Sequence, residues 1–115
     1  MKVAVVGSRD FPDMDVVRTF VSGLEEGTTV VSGGARGVDT VAERAARARG
    51  LHVEVHLPDW WTYPRAAGVV RNQKIVDSVD RVVAFWDGHS RGTADTIKRA
   101  KVRGIPVEVV TAEKP

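Results

Sequence analysis

The stretch "VVSGGARGVD", residues 30–39, decides how the chain is read. It opens as a β-branched run and closes on an apolar-periodic segment, so it marks a strand handing over to a helix. Three glycines, an arginine and an aspartate fill the hand-over. Glycine loses the most backbone entropy on folding, so a loop built this way serves something other than stability. Its composition suits a backbone that comes close to a ligand.

Outward from this loop, short β-branched runs recur: "KVAVVG" (2–7), "TTVVSG" (28–33), "HVEVHL" (52–57), "DRVVAFW" (80–86) and "PVEVV" (106–110). Each lies near a glycine or proline, as buried parallel strands do. Val17, Phe20, Val21 and Leu24 repeat at helical spacing, as do Val38, Val41, Ala42 and Ala45 before Gly50. A third helix is predicted over 66–78, and a fourth from Thr93, read as its N-cap, to Arg103, with Gly104 as the stop. Strand and helix in alternation predict a doubly wound α/β domain over residues 1–115, with a five-stranded parallel sheet in the order 3-2-1-4-5 and four helices.

In such a sheet ligands bind beyond the carboxyl ends of the strands, where the order reverses, here between the first and fourth strands. Three loops should converge there: "GSRDF" (7–11), "SGGARGVD" (32–39) and "DGHSRGT" (87–93). Each combines glycine, serine and arginine. Helix N-termini with unpaired N–H groups, a close backbone and the forked donors of Arg9, Arg36 and Arg91 together suit a phosphate. Tight turns in α/β units also need glycine, and surface arginine is common. Three such loops at one rim favour the ligand.

Composition narrows the function classes. The 17 basic and 15 acidic residues leave a formal charge of +2, too balanced to announce a nucleic-acid protein. No cysteine is present, which removes disulfides and thiolate zinc sites and fits a cytoplasmic setting. No run is apolar enough for a signal peptide or a membrane span, so no membrane partner is expected. His52 and His56 can share a strand face, but a structural role outweighs ligation and no metal is expected. "DFPDMD" (10–15) lacks the glycine and closing glutamate of a calcium loop. Neither G-x-G-x-x-G, a P-loop nor G-x-S-x-G is present, and Glu54, where a ribose-binding acid could sit, falls inside a strand. No cofactor is expected.

The motifs "GSRDF", "VVSGGARGVD", "YPRAAGVVRNQKIVD" and "FWDGHSRGTADTIKRA" resemble the SLOG superfamily over nearly the whole chain, and especially its small bacterial and phage YspA/YpsA-related branch. The superfamily also includes DprA, which handles single-stranded DNA, and the LOG phosphoribohydrolases. The resemblance implies a Rossmann-like fold that binds nucleotides or nucleotide-derived ligands at this rim. By it, Gly7, Ser8 and Arg9 form one wall, and Ser32, Gly33, Gly34 and Gly37 form the phosphate-facing floor beside Arg36 and Asp39. Arg71 and Asn72 match the Arg-Asn of DprA, which makes Arg71 the cation expected on the ligand. Asp87, Ser90, Arg91, Gly92 and Thr93, on the loop after the fourth strand, are expected at the same rim, and of these Gly92-Thr93 match a LOG motif, whereas Asp87-Gly88-His89 replaces its Pro-Gly-Gly.

The match fails at one later position as well. The glutamate of LOG enzymes falls on Thr96, and Asp95, one residue early, is rotated by about 100° on a helix. Whether the protein is an enzyme stays open. Asp10, Asp39 and Asp87 remain as carboxylates, Asp39 being equally explained as a first-turn residue that bonds loop N–H groups. Trp60, Trp61 and Tyr63 in "PDWWTYP" (58–64) suit base stacking or a contact in a homo-oligomer, and Trp86 suits core or pocket wall. The expected partner is a nucleotide-derived small molecule, sensed or processed. A LOG-like hydrolase and a binder of single-stranded DNA are the alternatives.

Overall fold

Val3, Ala4, Val5 and Val6 are all buried, with no alternation along the strand, as happens only where a strand is covered on both faces. A computed structural model, which describes residues 1–112, places this segment at the centre of a five-stranded sheet. The elements run β1 (Lys2–Gly7), α1 (Met14–Ser22), β2 (Thr29–Ser32), α2 (Val38–Ala48), β3 (His52–Val55), α3 (Ala67–Ser78), β4 (Arg81–Trp86), α4 (Arg91–Arg103) and β5 (Val107–Thr111). The strand order is β3-β2-β1-β4-β5 and every pairing is parallel. This is the Rossmann-like α/β architecture that the sequence predicts.

The two-residue period of each strand sorts its side chains into two cores. Val3, Val5, Val30, Val83 and Phe85 face α1 and α2, where Val17, Val21, Val38, Ala42 and Ala46 meet them. Ala4, Val6, Val31, Val82 and Ala84 face α3 and α4, where Ile75, Val76, Ile97 and Ala100 pack. Phe11 and Phe20 approach Phe85 edge-on, with ring centroids at 5.7 and 5.9 Å. These packed faces hold the carboxyl ends of β1 and β4 side by side. No helix among the described residues is long and apolar enough to cross a membrane.

The element ends depart from the sequence reading in a few places. Helix α4 begins at Arg91, and its N-cap is Ser90 rather than Thr93; the Ser90 hydroxyl accepts from the Thr93 N–H at 3.5 Å. Both residues can cap, and the earlier one takes the position, which draws Thr93 into the first turn and buries it. At the other end Gly104, at φ 82°, sends its N–H to the carbonyls of Ala100 and Lys101 and stops the helix as expected. Strand β3 ends at Val55, although the His56 N–H still reaches the Ser32 carbonyl at 2.9 Å; Leu57 is exposed. Strand β5 begins one residue late, after Pro106, whose carbonyl still accepts from the Val82 N–H.

Candidate ligand-binding crevice

Because all five strands point the same way, the loops after β1, β2 and β4 leave from one edge of the sheet, and they meet around a crevice of about 460 Å³. Gly7, Arg9 and Asp10 line it from the first loop, and Gly33, Ala35 and Arg36 from the second. Asp87, His89 and Ser90 follow β4, and Gly92, Thr93 and Thr96 continue the wall along the first turns of α4. Helix α3 closes the remaining side with Arg71, Asn72 and Ile75, while Val6 contributes from the sheet.

Asp39, in the first turn of α2, reaches back into the crevice floor and is 4% exposed. One carboxylate oxygen accepts from the Gly33 N–H at 2.8 Å and the other from the Gly7 N–H at 3.2 Å. Burial pushes its pKa up to about 6, against the opposing pull of those N–H groups and of the Arg71 guanidinium. The floor that the resemblance assigns to phosphate thus already carries an anion of the protein's own. Loop N–H groups bond Asp39, as its position in the sequence allowed, and the carboxylate also faces the crevice.

Arg71 is held from two sides. Its Nε donates to Asn72 Oδ1 at 2.9 Å and its Nη1 to the Gly33 carbonyl at 2.5 Å. Asn72 is buried, and its amide donates in turn to Asp95 Oδ2 at 3.0 Å and, more weakly, to the Gly92 carbonyl at 3.4 Å. Asp95 also accepts from Arg99 Nε at 2.7 Å. Asp95 therefore acts behind the crevice wall, orienting Asn72. The Arg-Asn pair ties α3 both to the β2 loop and to α4, fixing the guanidinium plane with part of its fork still available toward the crevice.

At the third loop, Asp87 Oδ1 accepts from the N–H groups of His89 and Ser90, both at 2.8 Å, and these bonds hold its carboxyl below its ordinary pKa. Ser8 is buried beneath, its hydroxyl accepting from the Asp87 N–H at 3.0 Å. Thr96 lines the crevice, with its hydroxyl donating to the Gly92 carbonyl at 3.2 Å.

Of the residues that the sequence assigns to the walls and floor of the site, five lie outside the lining: Ser8, Ser32, Gly34, Gly37 and Arg91. Ser32 is buried and its hydroxyl donates to the Glu43 carboxylate of α2. Gly34, at φ 69°, sits where a Cβ would meet Leu57 Cδ2 at 2.6 Å, and Gly37 where it would meet the Arg9 carbonyl oxygen at 2.4 Å. Arg91 opens α4 and is exposed, so Arg71 takes the place of Arg91 beside Arg9 and Arg36 in the lining. Trp86 is half-buried against the α3/α4 core, with its indole N–H on the Ser90 carbonyl at 3.0 Å. His89 was missed: one histidine in a turn has no periodic or motif signal. Glu54 bonds Lys2 at 2.9 Å and His56 at 2.7 Å on β3, away from the lining, and this pairing gives His56 a structural partner.

Comparison with known proteins agrees with this architecture. Residues 1–63 match the YspA, cpYpsA-related SLOG family. Gene 61 protein of Mycobacterium phage D29 is 37% identical over 116 residues, a span covering 92% of this chain and 93% of that protein. Among solved structures, DNA processing protein A (DprA) from Streptococcus pneumoniae is similar over 97% of the chain, with a TM-score of 0.83 and 26% identity. The chain spans 50% of DprA's length. TM1055 is similar at a TM-score of 0.68 and 26% identity, over 92% of this chain and 71% of its own. Matched by the family pattern over more than half its length, and by a phage relative over nearly all of it, the chain belongs to the YspA, cpYpsA-related SLOG family.

Proposed function

We propose that the crevice binds a nucleotide or nucleotide-derived ligand, as a sensor or processing module. The observation that carries this reading is that Arg71 and the N-terminus of α4 share one crevice, whose volume of about 460 Å³ suits a small polar molecule. With the N–H groups of Gly7 and Gly33 engaged by Asp39, the donors left for a phosphate are those of α3 and α4. There the α4 dipole end at Gly92 and Thr93 and the guanidinium of Arg71 attract it. Asp10 and Asp87 are acceptors suited to ribose hydroxyls. Calorimetric titration with AMP tests the reading. Arg71→Lys keeps the charge and loses the fork, so it should weaken AMP binding by roughly 1–3 kcal/mol, the range for hydrogen bonds to charged groups. Equal affinities would remove Arg71 from the site.

One observation favours a second reading, hydrolysis of an N-glycosidic bond. Asp39 faces the crevice with a pKa of about 6, the property of a group that exchanges protons near neutrality. Against it, Thr96 stands where LOG enzymes carry glutamate. The binder reading predicts no base release when AMP is incubated for long periods with concentrated protein. Turnover beyond stoichiometry, lost in Asp39→Asn, would replace it. A DNA-binding role by analogy with DprA has the balanced charge against it and would show as salt-dependent retardation of single strands.

A further inference from the structure

We propose that Trp60 and Trp61, on the loop between β3 and α3, form the stacking surface for the ligand's base. The site would then select phosphates bearing an aromatic base over bare sugar phosphates. This rests on the nucleotide reading above and adds a surface for the base, for which the crevice itself offers no indole or phenyl ring.

Among the described residues the crevice lining contains no phenyl, phenol or indole ring; its aromatic group is the small imidazole of His89, and its apolar members are Val6, Ala35 and Ile75. Beyond that one imidazole, a base held there would face arginines and aspartates. Elsewhere the aromatics are committed: Phe11 and Phe85 are buried, Phe20 packs on the α1/α2 core, and Trp86 packs on the other core. Three remain, all on one loop: Trp60 at 58% exposure, Trp61 at 95% and Tyr63 at 39%. Tryptophan is highly buried on average, so two adjacent exposed indoles call for a partner. Every base offers a π-face to match them.

The loop is tied to the crevice at both ends. It leaves β3 at the same sheet edge as the crevice loops, because β3 is parallel to β2. Near its start Leu57 packs on Gly34, whose neighbours Gly33 and Ala35 line the crevice. Near its end the Tyr63 carbonyl accepts from the Ala67 N–H at 3.0 Å, one turn before Arg71. Between these points Asp59 closes a turn around the tryptophans, its carboxylate accepting from the Thr62 N–H and its carbonyl from the Tyr63 N–H, both at 3.0 Å. Pro58 and Pro64 bracket that turn. The indoles are therefore displayed on constrained backbone, which lowers the ordering cost of stacking.

The test uses AMP and ribose 5-phosphate in calorimetric titrations of the natural protein, the double variant Trp60→Ala/Trp61→Ala, and Trp61→Phe. Because both tryptophans are exposed, the variants should keep the fold, checked by circular dichroism. The natural protein should bind AMP roughly tenfold or more tightly than ribose 5-phosphate, in line with alanine substitutions at stacked bases. The double alanine variant should lose that preference while its affinity for ribose 5-phosphate stays unchanged, and Trp61→Phe should retain most of it. Unchanged AMP affinity in the double variant would overturn the proposal and leave the nucleotide reading standing. A change in sedimentation without a change in AMP affinity would assign the tryptophans to contacts between copies and overturn it as well. If neither compound bound the natural protein, both readings would fall.

Discussion

The loops that lead into α2 and α4 have nearly the same composition, glycine, serine and arginine at the start of a helix, yet the fold packs them differently. Ahead of α2 the glycines are crowded by the protein itself. A Cβ on Gly33 would meet Arg71 Nη1 at 2.7 Å, and one on Gly37 would meet Arg9 backbone. Around the start of α4, Cβ atoms on Gly88 in the loop and on Gly92 in the first turn would meet nothing within 4 Å. The groups that meet the N–H donors differ as well. The α2 loop wraps its N–H groups around the buried carboxylate of Asp39, whereas α4 is capped by the neutral hydroxyl of Ser90. Glycine-rich composition thus signals that something approaches the backbone closely, and only packing tells whether that something is the protein or a ligand.

The sharpest way to break this comparison is Gly37→Ala. At φ 84° and ψ −124° the residue occupies a region that side chains avoid, and the new methyl would lie 2.4 Å from the Arg9 carbonyl oxygen, a backbone atom that cannot turn aside. Backbone strain and overpacking each cost about 1–3 kcal/mol, so the variant should lose about 4 kcal/mol in urea denaturation. A loss below 1 kcal/mol would mean that the loop yields easily, and the contrast with α4 would disappear.

The second test addresses the internal anion. Burial raises the Asp39 pKa from 3.8 to about 6 in the folded protein. The folded state then binds more protons than the unfolded state between these values, so stability falls as pH rises through the window. The contribution is fully present below about pH 4 and lost above about pH 6; at 1.36 kcal/mol per pKa unit it amounts to about 3 kcal/mol. Denaturation of the natural protein and Asp39→Asn from pH 4 to 7 should show this slope in the first and its absence in the second. Parallel curves would mean that the carboxylate is solvated in the folded protein and that the α2 loop is as open as that of α4.

Much of this was legible in the sequence because it depends on local periodicity. Uninterrupted apolar runs gave the parallel strands, and the period of Val17, Val21 and Val38, Ala42 gave the helix faces. Their alternation, with the right-handed crossover, gave the sheet order. The rim was also readable, since it follows from that order. What stayed hidden depends on pairwise geometry over long separations. That Asp39 would take the Gly7 N–H across 32 positions, or that Arg71 would spend one donor on the Gly33 carbonyl across 38, has no sequence period. The competing caps Ser90 and Thr93 show the same limit at short range: both have the right chemistry, and only the folded chain shows that Ser90 caps and Thr93 is buried in the first turn.

The smallest effect, and the one that separates stability from binding, is expected at Gly92. It is the second residue of α4, exposed, with no positive φ and no protein atom near its missing Cβ. Alanine there should gain about 0.5–1 kcal/mol, because glycine is the poorer helix former and the freer residue in the unfolded chain. The same residue lines the crevice, so the methyl group would occupy space that the protein leaves open and a phosphate at the α4 N-terminus would need. Gly92→Ala should therefore melt slightly higher than the natural protein and bind AMP more weakly. A variant that is stabilised and binds AMP equally well would place the phosphate elsewhere in the crevice, against the wall formed by Arg9 and Arg36.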